Sequence, residues 1–380
     1  MSDQIGVAVL GCGYWGINYV RVFNELPQAC VRVVCDQRPE RLREAGRRFP
    51  AGLLTAEIDE ALRTDGVDAA VICTPATVHY DTIRRCLEAG KHVLVEKPMT
   101  TRQDHAEAVI DLAASRGLTL MVGHTFLYNA SVRTLKACVE ARRVGRVYYL
   151  YSRRTNLGPI RQDVNALWDL APHDVSIFNH LLGDTPAWVS AVGSRILGNC
   201  REDVGFISLG YPEGVVAHIH VSWADPNKTR EVVVVGSDGR LVFDDLNEME
   251  PVRIFEKGAT PAAEGATYGE NRLSVRSGAI VSPNVKASEP LKNQCSHFLE
   301  CVVRGRPPLT SGRSGLEVVR VMEAIDRSVE HNGMPVELGN GDGITFPGCH
   351  SEEPFDKAQG RLRDEESLSG TSRLFAFGSE

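Results

Sequence analysis

The sequence predicts an α/β protein in two parts, a doubly wound parallel sheet followed by an α+β region with a large open, mainly antiparallel sheet. Three observations predict it. The first third alternates short apolar runs with amphipathic stretches. Those runs are continuously apolar, as strands are when helices cover both faces of a parallel sheet. Beyond about residue 147 the chain becomes β-rich, with a hairpin signature in EVVVVGSDGRLVF, turned by Ser237-Asp238-Gly239. A length of 380 residues gives room for two such domains and a sizeable core.

Taken in order, residues 5–10 read as a strand, followed by a glycine turn, a helix to about Leu26 and a strand over 31–35. A short strand near Leu53 and a helix ending near Arg63 come next. VDAAVICT is an apolar strand ending at Thr74-Pro75, and HYDTIRRCLEAG has helical spacing (Ile83, Leu87) with Gly90 as its stop. HVLVE is a strand, TRQDHAEAVIDLAASRG a helix and LTLMVG a strand. After GHTFLYN the pattern changes: residues 131–142 read as a helix and VYYLYSRRT as a strand. AWVSAVGSRI, GVVAHIHVSW and PVRIFE are further β-rich segments, and residues 291–303 and 314–330 read as helices. In NALWDLAPHDVSIFNHLLG, Pro172 is read in a first helical turn, where its missing N–H costs nothing. His173, Ile177 and Leu181 then share one face, and Gly183 ends the helix. The domains expected are 1–124 and 125–340, with 341–380, polar and without periodicity, as a disordered tail.

Composition excludes several classes. A net charge of −7 gives no reason to expect nucleic-acid binding. No apolar run reaches the ~20 residues of a membrane helix, and MSDQIGVAVLGCG lacks the basic region of a secretory leader, so a cytoplasmic protein is expected. The ten cysteines are scattered without C-x-x-C, which reads as reduced thiols. No metal is expected: His173 and His180 stand two helical turns apart, about 10 Å, too far to share an ion with bonds of ~2 Å.

In parallel sheets ligands bind beyond the carboxyl ends of the strands. Gly11, Thr74-Pro75, Glu96-Lys97-Pro98 and Gly123-His124 all follow strands, so they should line one edge. Gly11, Gly13 and Gly16 form G-x-G-x-x-G between a strand and a helix, and Asp36 ends the next strand. Such a Rossmann turn lets a pyrophosphate approach a helix N-terminus. Asp36 would bond the adenosine ribose hydroxyls and favour NAD over NADP, although Arg38 stands close enough to blur the preference and leave NADP possible. FAD is a rival that leaves a lysine at a strand end unexplained.

With these residues placed, the sequence resembles the Gfo/Idh/MocA oxidoreductases over roughly residues 5–338. The resemblance rests on Gly11-Cys12-Gly13-Tyr14-Trp15-Gly16, Thr74-Pro75 with His79, and Gly90-Lys91-His92-Val93 running into Glu96-Lys97-Pro98. It implies a nicotinamide-binding domain followed by an α+β domain, and activity mainly on sugars, sugar nucleotides and cyclitols. It adds Tyr14, Trp15, Thr74, Pro75, His79, Glu96 and Lys97 to the cofactor set. The family's second-domain Asp and His at i, i+4 match Asp169 and His173, while Pro172 and Ser176 depart from its pattern.

Loss of a hydride requires a base and a cation at the reacting hydroxyl. The roles expected are His173 as general base, Lys97 as oxyanion stabiliser, and Asp169 as orienter of His173 or of a neighbouring substrate hydroxyl. Tyr128 is an alternative acid/base and substrate contact. Arg154, Arg161 and Asn165 are further substrate candidates, since arginines grip diphosphates or carboxylates. Those arginines favour a nucleotide-linked sugar, oxidised at a ring hydroxyl such as C3, over a free sugar or cyclitol. A non-catalytic NAD(H) sensor is the reading from another class. The large sheet, with no evident helices for its second face, predicts a homodimer or homotetramer.

Overall fold

A computed structural model describes residues 4–338 apart from 51, 159, 162, 199 and 262–272; the tail expected at 341–380 lies outside the described residues. The first third builds β1 (Ile5–Leu10), α1 (Gly16–Glu25), β2 (Ala29–Cys35), α2 (Pro39–Arg48), β3 (Leu53–Thr55), α3 (Ile58–Arg63), β4 (Ala69–Ile72), α4 (His79–Glu88), β5 (His92–Glu96), α5 (Gln103–Ser115) and β6 (Leu120–Gly123). The strands form a parallel sheet in the order β3-β2-β1-β4-β5-β6. Its middle strands are buried along their whole length, which is why they read as unbroken apolar runs. The order reverses between β1 and β4, so the crevice beside Gly11 and Cys73 is the ligand position of the doubly wound fold.

The remainder comprises α6 (Ala130–Glu140), β7 (Val147–Thr155), α7 (Ala166–Leu182), β8 (Trp188–Ser194), β9 (Val204–Gly210), β10 (Val216–Ser222), β11 (Thr229–Gly236), β12 (Arg240–Asp244), β13 (Val252–Phe255), β14 (Gly258–Pro261), β15 (Leu273–Arg276), β16 (Ile280–Val281), α8 (Pro290–Arg304), α9 (Gly312–Glu330) and β17 (Val336–Glu337). Nine of these strands form a sheet in the order β16-β13-β12-β11-β7-β10-β9-β8-β17. Among the described pairs β7 and β10 run parallel and the other ladders of this sheet antiparallel. β11 and β12 are the expected hairpin, with Val235 opposite Arg240.

Helices α6, α7 and α9 pack their apolar sides on one face of this sheet, where Leu135, Ile177, Phe178, Val321 and Ile325 meet Leu150, Ile207 and Ile219. Helix α8 behaves differently. Its Leu291, Cys295, Phe298 and Leu299 join Tyr19 and Phe23 of α1 in the core beneath the first sheet, so the chain returns to its first layer near the end.

One boundary differs from the sequence reading. Helix α7 begins at Ala166, capped by Asn165 accepting from the Trp168 N–H, so Pro172 lies inside the helix rather than in its first turn. A proline there leaves the Trp168 carbonyl without its i+4 donor. The cap at Asn165 carried the start signal, and the proline masked it.

Candidate active site

The glycine turn is shaped by close backbone approach. Gly11 has φ of +90°, and a Cβ on it would lie 2.7 Å from the Cys73 carbonyl oxygen. A Cβ on Gly16 would lie 1.8 Å from the Gly11 carbonyl oxygen, so both positions require glycine. Within 4 Å a Cβ on Gly13 would meet just one atom, Nη2 of Arg38 at 3.7 Å, which leaves the outer side of the turn open. No side chain caps α1 and no acidic residue stands in its first turn, so its leading amides suit a pyrophosphate. Tyr14 and Trp15 stay exposed beside them.

Asp36 closes the turn from β2. Its Oδ2 accepts from the Cys12 N–H at 2.7 Å and its Oδ1 from the Arg38 N–H at 2.9 Å, while Arg38 Nε donates to Oδ1 at 3.1 Å. Burial pushes this carboxyl up, but the Arg38 side chain and the backbone donors outweigh it and hold the pKa below the usual range. It is an acceptor held on the turn by the Cys12 and Arg38 donors. These features fit NAD.

Strand β5 delivers Glu96 and Lys97 at the same edge, and the Lys97–Pro98 peptide is cis. Glu96 turns away from the cleft into the helix layer. Its Oε1 accepts from Tyr19 Oη at 2.7 Å and its Oε2 from the Lys97 N–H at 3.2 Å. Gln294 of α8 donates in turn to Tyr19 Oη at 2.8 Å. Glu96 is therefore a buried strut with both carboxylate oxygens engaged inside the fold, and burial raises its pKa.

Lys97, 7% exposed, points the other way, onto α7. Its Nζ donates to the Asp169 carbonyl oxygen at 2.6 Å and to Asp169 Oδ1 at 3.3 Å. Arg161 Nη1 reaches the same Oδ1 at 3.1 Å, and Trp223 Nε1 lies 3.4 Å from Oδ2. Burial raises the Asp169 pKa, but Lys97 and Arg161 together outweigh it and hold the carboxyl ionised. Arg161 also grips Asp163 with two bonds of 2.9 and 2.6 Å. Two cations and two carboxylates thus form one neutral network at the strand end.

His173 follows Asp169 by one turn and packs edge-on against Phe126, ring centroids 5.1 Å apart. It is partly exposed, with Nδ1 buried and unpartnered among the described residues. Loss of water around the ring, then the Lys97 and Arg154 charges, pull its pKa well below 6.5. A neutral imidazole is what a base needs. Asp169 is not bonded to His173, as one expectation had it; its oxygens are taken by Lys97, Arg161 and Trp223. Trp223 was missed by sequence reasoning, because an indole at the end of an apolar strand reads as core.

Several expected residues stand elsewhere. Arg154 makes a two-bond pair with Asp174, both at 2.9 Å and both buried, with its guanidinium 4.4 Å from the Phe126 centroid. Its charge is spent inside the fold, and Arg153 lies exposed on the opposite face of β7. Asn165 is a helix cap that also donates to Glu202. Tyr128 is fully buried, its hydroxyl beside Thr310 Oγ1 at 3.3 Å, and burial raises its pKa. Both ring nitrogens of His79 face backbone carbonyls, so neither is offered to a cofactor. His124 is buried, its ring nitrogens unpartnered among the described residues, and burial and then Lys97 pull its pKa down to about 4.

A separate cavity of about 450 Å³ opens between α6, α7 and α9, lined by His124, Lys136, Ser176, Asn179, His180 and Glu317 among others. It excludes Lys97, Asp169 and His173. Among the described residues no group of three His, Cys, Asp or Glu side chains could hold a metal ion, and no helix is long and apolar enough to cross a membrane.

Comparison with known proteins decides the family. A model described as an oxidoreductase family with NAD-binding Rossmann fold matches residues 5–124, and the GFO/IDH/MocA C-terminal domain matches residues 132–242. The chain belongs to the Gfo/Idh/MocA oxidoreductase family. The family includes dehydrogenases acting on sugar and cyclitol hydroxyls, and residues 5–124 match its NAD-binding domain. Similar curated proteins include scyllo-inositol 2-dehydrogenase (NAD(+)) of Bacillus subtilis, 26% identical, with 89% of this chain and 97% of the relative covered. UDP-N-acetylglucosamine 3-dehydrogenase of Acidithiobacillus ferrooxidans is also 26% identical, with 85% and 96% covered. Among solved structures, GenD2 from gentamicin A biosynthesis, in complex with NAD, superposes with a TM-score of 0.75 at 27% identity, covering 89% of this chain and 97% of that one.

Proposed function

We propose that this enzyme transfers hydride between NAD and a secondary hydroxyl of a free sugar or cyclitol. The single observation carrying the substrate class is the commitment of the arginines. Arg154 is buried on Asp174, Arg161 is neutralised by Asp163 and Asp169, and Arg153 lies on the outer face. A diphosphate would need cations free to grip it, whereas a neutral polyol needs donors and acceptors of the kind that Lys97, Asp169 and His173 supply. This reverses the preference for a nucleotide-linked sugar drawn from the sequence.

NAD supplies the hydride acceptor. Lys97 donates to the hydroxyl oxygen and stabilises it as it becomes an alkoxide. His173 takes the hydroxyl proton, and Nε2 is the nitrogen left to receive it, since Nδ1 is shut inside. Asp169 holds the ammonium in place from two sides, by carbonyl and carboxylate, and Arg161 and Trp223 hold Asp169.

The test is a panel of cyclitols, free aldoses and nucleotide-linked sugars with NAD, followed by absorbance of the reduced cofactor. Turnover confined to nucleotide-linked sugars would overturn the substrate class, and binding of NAD with no turnover on any polyol would favour a sensor.

The second sheet's outer face presents Tyr149, Val192, Phe206 and Val216, each more than 40% exposed. An apolar face of that kind supports a homodimer or homotetramer formed through it, and light scattering at micromolar concentration tests that. The nine described cysteines are free, which supports a cytoplasmic setting.

A further inference from the structure

His79 has no part in the hydride transfer just described, yet it is 1% exposed and both of its nitrogens are engaged. Nδ1 lies 2.8 Å from the Pro98 carbonyl oxygen and Nε2 lies 2.9 Å from the Thr74 carbonyl oxygen. Pro98 directly follows Lys97. Thr74 follows β4, and its backbone N lies 2.9 Å from where a Gly11 Cβ would stand. One ring at the start of α4 therefore sits within bonding distance of both the backbone that carries the lysine and the backbone that borders the glycine turn.

The other constraints on Lys97 show what this bond adds. Its N–H is held by Glu96 Oε2, and its ammonium is held by Asp169. The carbonyl that follows the lysine, that of Pro98, has His79 Nδ1 at 2.8 Å, and the tautomer protonated there bonds it.

We propose that His79 is a positioning residue with two separable arms. The Nδ1 arm fixes the Pro98 carbonyl and so sets the point from which Lys97 reaches the reacting oxygen. The Nε2 arm fixes the Thr74 carbonyl and so shapes the wall of the dinucleotide site. The inference rests on Lys97 acting on the reacting oxygen.

Carbonyl oxygens only accept, so each arm needs a proton on its nitrogen; a neutral imidazole supplies one arm at a time, and its two tautomers serve the Pro98 and Thr74 carbonyls in turn. Asparagine and glutamine divide the arms sterically. An Asn amide falls near the Nδ1 position and reaches Pro98, while a Gln amide falls near Nε2 and reaches Thr74.

The experiment compares His79→Asn, His79→Gln, His79→Leu and Lys97→Met in the full chain. It measures kcat at saturating NAD, NAD affinity by titration, and the melting temperature. His79→Gln should lose about 10²-fold in kcat, the usual consequence of misplacing a catalytic group by an ångström, with NAD affinity near normal. His79→Asn should keep kcat within about tenfold of the parent while binding NAD more weakly. His79→Leu should lose on both counts, and if it fails to fold, the Asn–Gln pair still decides.

Equal kcat in the Asn and Gln variants, or a fall in melting temperature alone, would overturn the proposal. If Lys97→Met kept its turnover, the lysine's role would fall first. If Lys97→Met lost turnover and His79→Gln did not, the lysine would stand and the clamp would fall.

Discussion

Replacing Lys97 with methionine separates chemistry from architecture. The ammonium is buried, and it is bonded to the carbonyl and the carboxylate of Asp169. Removing one member of a buried ion pair usually leaves an orphaned charge and costs several kcal/mol. Here Asp169 keeps Arg161 at 3.1 Å and Trp223 at 3.4 Å, so its charge stays partnered and the fold should survive. Methionine retains much of the stem, which preserves packing. What disappears is the donor to the developing alkoxide, a loss worth about 10² to 10³ in turnover, or about 2.7–4 kcal/mol. The assay is kcat at saturating cofactor, with NAD affinity measured separately by fluorescence and folding by thermal melt. His173→Ala should also lose turnover, and the double variant should fall by less than the product of the two losses, because both groups act on one hydroxyl. A Lys97→Met enzyme that lost NAD binding but kept its kcat would make the lysine a cofactor anchor and refute this reasoning.

Other outcomes follow from the same geometry. Desolvation, and then Lys97, hold the His173 pKa below 6.5, so the acid limb of kcat/KM should have its midpoint below pH 6.5; in Lys97→Met, with one cation gone, residual activity should show that limb moved upward. Asp36→Ala should narrow the preference for NAD over NADP, measured as the ratio of the two kcat/KM values, and equal use of both cofactors by the parent would count against the aspartate's role. Arg154→Met should cost about 3–5 kcal/mol in denaturant unfolding, because Asp174 is left as a buried unpaired charge. Replacing Arg154 and Asp174 together with apolar residues should cost less, which a substrate-gripping arginine would not explain.

The first sheet was legible because its strands are buried on both faces and its turns carry glycines that only backbone contact explains. The strand-end position of Lys97 was legible for the same reason: a proline after an apolar run must take the chain out of the strand. The hairpin of β11 and β12 was equally plain from its turn residues. Long-range partners were not. Nothing near Arg154 in the sequence reveals that Asp174, twenty residues on, will bury it, and a surface arginine strand has the same local pattern. Tyr128 follows a strand as a site residue would, but its partner Thr310 lies 182 residues away. The return of α8 to the first layer also rests on contacts, Gln294 with Tyr19 and Phe298 with the α1 core, that no local periodicity encodes. Pro172 misled for a physical reason, since a helix whose remaining bonds and packing suffice can carry a proline in its interior.

The most direct measurement is a crystal structure with NAD and a cyclitol or sugar that the activity panel has identified. One secondary hydroxyl should lie within about 2.6–3.2 Å of both Lys97 Nζ and His173 Nε2, its carbon facing the nicotinamide and its neighbouring hydroxyl bonded to the Asp169 network. A substrate seated in the cavity between α6, α7 and α9, or bound with Lys97 still held on Asp169 and no hydroxyl in reach, would contradict it.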